Sequence, residues 1–112
     1  GVKIILEETK LESFIKKADF VITGEGQLDG QTVMGKAPIG VAEIAKKYEK
    51  KVLAFGGCVA EDATLCNQHG IDAFFPILRT VTTLKEAMDF NHAKENLSAA
   101  VEQVFRLIQS FE

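Results

Sequence analysis

Between Thr23 and Ala37 the chain reads TGEGQLDGQTVMGKA, a stretch that includes two carboxylates, Glu25 and Asp29, one cation, Lys36, the polar Gln31 and Thr32, and the glycines Gly24, Gly26, Gly30 and Gly35. This combination suits an anion. Glycines let backbone N–H groups turn toward a phosphate or carboxylate, a helix amino end adds partial positive charge, and a lysine adds a full one. Carboxylates beside a bound phosphate meet the complementary need: they hold magnesium or take a proton from an attacking hydroxyl. An ordinary surface loop also contains Gly, Asp and Gln. The residue types alone therefore leave a solvated turn as the alternative.

Residues 30–36 match the first seven positions of the phosphate-loop pattern GxxxxGK[ST]. However, Ala37 stands where a hydroxyl would hold magnesium, and Gly30 comes several residues after the apolar run Phe20-Val21-Ile22. Both departures argue against a nucleotide loop of the Walker type. A second glycine pair, Gly56-Gly57, closes the next apolar run and would face the same crevice if the two runs are adjacent strands. His69 and His92 have no partner nearby in sequence and read as surface or packing residues. Cys58 and Cys66 lack a CxxC spacing and read as a reduced pair.

The elements that must position this chemistry alternate regularly. Residues 2–6 are β-branched enough for a first strand. Thr9 can cap a helix whose apolar positions Leu11, Phe14, Ile15 and Ala18 follow helical spacing. Residues 20–23 form a second strand, and residues 24–37 the glycine loop. Pro38 opens a helix that runs to about Tyr48, with Val41, Ile44, Ala45 and Tyr48 on its apolar side. Residues 52–55 are apolar throughout, as in a strand buried on both faces, and Gly56-Gly57 should break it. Asp62 is placed to cap a short helix ending at Gly70, and residues 71–77 supply a fourth strand, with Pro76 marking its end or a sheet edge. Thr82 or Thr83 starts one helical turn. Asn91 is placed to cap a long final helix with Ala93, Leu97, Ala100, Val101, Val104, Ile108 and Phe111 on one face. The expected fold is α/β: a three-layer Rossmann-like sandwich of about four parallel strands with helices on both faces. The glycine loop then lies at a strand's carboxyl end, where such sheets bind ligands.

The 112 residues allow one domain and one core. A net charge of −3 gives no general attraction to nucleic acid or anionic lipid, and no apolar run reaches the length that crosses a bilayer. A cytoplasmic location is the expectation. The chain opens on Gly1 and enters strand-forming residues at once, which suggests a segment of something longer. Missing strands would leave a sheet edge open to self-association.

ADFVITGEGQLDGQTVMGKAPIGVAEIAKKY, followed by VLAFGG, closely resembles the carboxyl-terminal part of the bacterial type I glycerate kinases. The likeness is carried by Ala18-Asp19, Thr23-Gly24-Glu25-Gly26, Asp29, Gln31-Thr32, Gly35-Lys36 and Pro38-Ile39-Gly40-Val41-Ala42, and it continues more weakly to the chain's end. The resemblance implies transfer of the γ-phosphoryl group of ATP, with Mg2+, to a hydroxyl of glycerate, in a cytoplasmic two-domain enzyme. Residues 1–112 would be a single Rossmann-like domain or fragment of it. Carried over by position, Asp29 and Lys36 are the catalytic candidates. Gly24, Glu25, Gly26, Gly30, Gln31, Thr32 and Gly35 bind substrate, and Asp29 and Glu25 are candidate magnesium ligands. The partners implied are glycerate, ATP and the remainder of the kinase chain, and the segment alone is expected to be inactive. The competing reading is a stand-alone Rossmann-type module that binds a phosphate or small carboxylate without catalysis.

Overall fold

The computed structural model describes residues 11–34 and 37–112. The expected strand at residues 2–6, the Thr9 cap, Gly35 and Lys36 lie outside the described residues. Helix α1 (Leu11–Lys17) leads into strand β1 (Phe20–Leu28), the 3-10 turn η1 (Gly30–Val33), helix α2 (Ala37–Lys47) and strand β2 (Lys51–Val59). A longer 3-10 segment, η2 (Glu61–Gln68), then precedes strand β3 (Ala73–Pro76) and the helices α3 (Leu84–Met88) and α4 (Phe90–Gln109).

The described strands form one parallel sheet in the order β1-β2-β3, with Val21 opposite Val52 and Phe55 opposite Phe75. Successive residues of β2 face opposite ways, so one strand supplies two cores. Val52 and Ala54 pack with Ile15, Ile39, Ala42, Ala45, Cys66 and Ile71 beneath α1, α2 and η2. Leu53 and Phe55 pack with Ile77 and with Ala100, Val101, Val104 and Ile108 of α4. Helices therefore cover both faces, as the three-layer reading requires, and every β2 position from Val52 to Gly56 is buried.

Polar contacts fix the helical layer. Glu12 of α1 accepts hydrogen bonds from Tyr48 Oη at 2.6 Å and Lys47 Nζ at 2.9 Å. The Tyr48 hydroxyl and then the Lys47 ammonium hold its carboxyl below the usual range. Asp72, just ahead of β3, accepts from the Val52 N–H at 2.7 Å and pairs with Lys46. Partial burial works to raise its carboxyl, but the Lys46 ammonium, the Val52 N–H and the charge of Lys51 together outweigh that and lower it. Gly70 adopts φ +97° after η2, where a Cβ would press to 3.2 Å on Ala42 of α2, as expected of a helix terminator.

Several expected boundaries move. β1 does not stop at Thr23: Gly24, Glu25, Gly26 and Gln27 belong to the strand, which pairs with β2 as far as Leu28 opposite Val59. Likewise Gly56-Gly57 lie inside β2 and do not break it. The reason is a close approach of the two backbones. A Cβ on Gly57 would stand 3.0 Å from the Gly26 carbonyl oxygen, so the glycines let the pairing continue where side chains would part it. Both strands also change face here. Val21 and Leu28 share one core although seven residues apart, as do Ala54 and Val59 at five, whereas regular alternation repeats every second residue.

The segment after β2 is a 3-10 helix with Ala60, not Asp62, at its cap and no side chain bonded there. β3 is shorter than residues 71–77. Thr83 caps α3 through the Glu86 N–H at 3.2 Å, as expected. The cap of α4 is Asp89, not Asn91: its carboxylate takes the His92 N–H at 3.2 Å. Asp and Asn cap about equally well, so helical phase, not propensity, decides between them.

Candidate functional site

The carboxyl ends of β1 and β2 floor a hollow of about 590 Å³. Glu25, Gly26 and Gln27 of β1 and Gly57 and Cys58 of β2 line one side. Ile77 after β3, Leu84, Ala87 and Met88 on and beside α3, and Ala93 of α4 line the other. A second hollow of about 340 Å³ adjoins it, sharing Glu25, Ile77 and Ala93 and adding Gly24, Phe90, Lys94 and Leu97. Among the described residues nothing lies within 4 Å of where a Cβ on Gly24 or Gly26 would stand, so the strand surface there is bare backbone.

Asp29 follows β1 directly and heads η1. Its Oδ1 accepts from the Gln31 N–H at 2.9 Å and the Thr32 N–H at 3.2 Å, while the Asp29 N–H donates to Thr32 Oγ1 at 3.0 Å. This reciprocal arrangement is a capping box with Thr in the third position. Thr32 is fully buried, and its hydroxyl also reaches Asp29 Oδ1 at 3.4 Å. Oδ2 of Asp29 accepts from Gln27 Nε2 at 3.1 Å, which ties Asp29 to the wall of the hollow through one side chain. Gly30 lets η1 sit against η2, since a Cβ there would run into the Asp62 carboxylate and Leu65. Cys66 of η2 is buried under the same turn, its thiol donating to the Asp29 carbonyl at 3.9 Å. Burial, then the Asp29 charge, push that thiol up.

The residues singled out in the sequence are therefore divided between two places. Glu25, Gly24 and Gly26 belong to the hollows, and Asp29, Gly30, Gln31 and Thr32 to the turn beside them, with Gln27 linking the two. Gln31 is exposed and contributes its backbone N–H to the cap. Sequence reasoning did not assign Gln27, Cys58, Ile77, Leu84, Ala87, Met88, Ala93 or Lys94 to the site. One signal was present: Leu84 and Met88 stand at i and i+4 on a helix too short to bury them, and both remain about three quarters exposed, at 75% and 74%. Among the described residues no group of three His, Cys, Asp or Glu is placed to hold a metal, and no helix is long and apolar enough to cross a membrane.

The profile of the Glycerate kinase family matches residues 1–109. Glycerate kinase of Haemophilus influenzae is 42% identical over 108 residues, covering 96% of this chain and 28% of that protein. Glycerate 2-kinase of Escherichia coli is 44% identical over 100 residues, covering 89% of this chain and 26% of that one. A crystal structure from Salmonella typhimurium LT2, presented as a candidate glycerate kinase 2, superposes with a TM-score of 0.68 at 36% identity, over 97% of this chain and 26% of that one. The chain thus spans about a quarter of the length of the relatives it matches. A match running through nearly every described element, with the strand extension and turn included, leaves one conclusion: the chain belongs to the glycerate kinase family.

Proposed function

We propose that this chain is the carboxyl-terminal part of a bacterial type I glycerate kinase, a cytoplasmic enzyme that transfers the γ-phosphoryl group of ATP to a hydroxyl of glycerate. The observation that supports it most is the family match across residues that build an open hollow and an adjoining acidic turn at the carboxyl end of a parallel sheet. Phosphoryl transfer asks the protein mainly for positioning and neutralisation of charge. Asp29 is held rigidly by its cap, with one Oδ2 lone pair left beside the Gln27 bond. Lys36 is assigned to neutralise phosphate by its charge and its place in the family motif.

The residues fit magnesium in one way. Mg2+ keeps several waters and uses one or two protein carboxylates together with the nucleotide's phosphates, so the free side of Asp29 suffices. Glu25 is the other candidate ligand, but it stands on β1 four residues before Asp29, up to about 13 Å away at roughly 3.3 Å of strand rise per residue. The two are poorly placed to share one ion. When bound, the ion neutralises charge on the transferred phosphoryl group; Asp29 orients what it binds, and the turn holds Asp29.

A segment of about a quarter of the enzyme cannot close around two substrates and exclude water, so the isolated chain should turn over little or nothing. The test is ADP formation by the full-length protein with ATP, Mg2+ and glycerate, with the phosphoglycerate product identified by phosphorus NMR. Absence of glycerate-dependent ADP would overturn the reading. Full activity of residues 1–112 alone would overturn the claim that the rest of the chain completes the site.

A further inference from the structure

We infer that the hollow floored by β1 and β2 takes the purine ring of the nucleotide, with the Glu25 carboxylate accepting a hydrogen bond from the ring's exocyclic amine. This rests on the kinase reading and adds to it which part of which substrate the hollow receives.

Both substrates of the proposed reaction carry anionic groups, and the hollow suits neither anion. Among the described residues its ionisable lining is Glu25 and Cys58, with no lysine or arginine. A glycerate carboxylate or a triphosphate placed there would lose hydration and gain a neighbour of its own sign. Glycerate is also too polar for the opposite wall, having a carboxylate and two hydroxyls on three carbons. The only part of either substrate that is flat, neutral and largely apolar on its faces is the base.

The walls match such a ring. On one side stand Leu84, Ala87, Met88 and Ala93, where the unbranched Met88 can adapt to a planar surface. On the other the strand offers Gly26, whose missing side chain leaves open space against which a ring can lie. The volume, about 590 Å³, falls within the range of roughly 300–1,000 Å³ usual for small-molecule sites. The edge chemistry then selects among bases. Gln27 spends its amide on Asp29 at 3.1 Å, whereas among the described residues no hydrogen bond occupies the Glu25 carboxylate. A carboxylate accepts from the amine of adenine and repels the carbonyl that hypoxanthine carries at the same position.

The experiment uses the full-length kinase with saturating glycerate and compares KM for ATP with KM for ITP, in which a carbonyl replaces that amine and the neighbouring ring nitrogen N1 gains a proton. The wild type should favour ATP by about tenfold or more, since a site built to accept a hydrogen bond rejects the analogue lacking the donor. In Glu25→Gln the amide can turn its N–H toward the carbonyl, so the preference should fall to near one or reverse. Ala87→Phe fills the hollow and should raise the nucleotide KM about tenfold while leaving the glycerate KM in place. Circular dichroism reports whether that variant folds, and the Glu25→Gln ratio decides if it does not. Equal use of ATP and ITP by the wild type overturns the proposal, as does an unchanged ratio in Glu25→Gln. A Glu25→Gln variant that loses turnover equally with both nucleotides would mean that Glu25 serves magnesium instead. In all three cases glycerate phosphorylation survives in the wild type, so the kinase reading stands; if no nucleotide supports it, both fall.

Discussion

Asp29 has two jobs assigned to it, and a pair of substitutions separates them. As a cap it supplies an acceptor to the Gln31 and Thr32 N–H groups, at 2.9 and 3.2 Å. As a catalytic candidate it supplies negative charge. Asparagine caps about as well as aspartate, so Asp29→Asn should keep η1 formed and change local stability by less than about 0.5 kcal/mol. It removes the charge, and turnover of the full-length enzyme should fall by roughly tenfold to a thousandfold. Asp29→Ala removes the cap as well. The Gln31 amide is exposed and can be hydrated, but the Thr32 amide is partly buried, which places the cost near the middle or top of the usual range, about 1–2 kcal/mol. Through local opening that corresponds to a ~5- to 30-fold faster hydrogen exchange of the Thr32 amide in Asp29→Ala, with little change in Asp29→Asn. Exchange measured by mass spectrometry on the peptide spanning η1, beside steady-state kinetics, reads both quantities. If Asp29→Asn keeps full turnover while Asp29→Ala loses it, the carboxylate is a structural cap alone and the catalytic assignment is refuted.

Three further outcomes are expected. Gly57→Ala should destabilise the protein by about 1–3 kcal/mol in urea unfolding, because its methyl would press on the backbone carbonyl of Gly26, whereas Gly26→Ala, with open space at its Cβ, should cost much less and act on ligand affinity instead. Asp72 has a lowered carboxyl, so its contribution is present above the unfolded value of about 3.9 and is lost as pH falls through the still lower folded value. Asp72→Asn should therefore be less stable than wild type at pH 7, by no more than about 1 kcal/mol for so exposed a pair, and the gap should close below about pH 4; a gap that widens in acid would contradict this. The thiol of Cys66 is buried and pushed up, so alkylation of the native protein at pH 7.5 should leave it unmodified until denaturant is added, as peptide mapping would show.

The layers and most elements were legible in the sequence because their signals are local. The unbroken apolar run of β2 announced burial on both faces, and the stripe of α2 and the capping Thr83 announced their helices. The extension of β1 was not legible, since Gly24, Gly26, Gly56 and Gly57 each read singly as strand breakers. Only the pairing shows that the gap on one strand is filled by the carbonyl of the other. For the same reason Glu25 looked like a loop residue near Asp29, when strand geometry sets them apart. The hollow's second wall was hidden because Leu84, Ala87, Met88 and Ala93 lie some sixty residues further along the chain, and sequence spacing says nothing of what β3 and the chain's turn after Ile77 bring across to the ends of β1 and β2.

These glycines also bear on how the site divides its labour. A phosphate loop uses glycine for freedom, turning N–H groups outward toward an anion. Here Gly24, Gly26, Gly56 and Gly57 lie within β1 and β2, with Gly24 and Gly56 paired in the register, so their backbone groups serve the sheet rather than a loop. What that leaves free is surface, not donors: a narrow strip of backbone without side chains, suited to something flat. The carboxylate held by a capped turn stands one residue past the strand, at Asp29. The change from bare strand to capped turn at Leu28 is thus the place where a ligand's apolar part and its charged part would have to separate. A nucleotide divides in that way between base and phosphates, and glycerate does not.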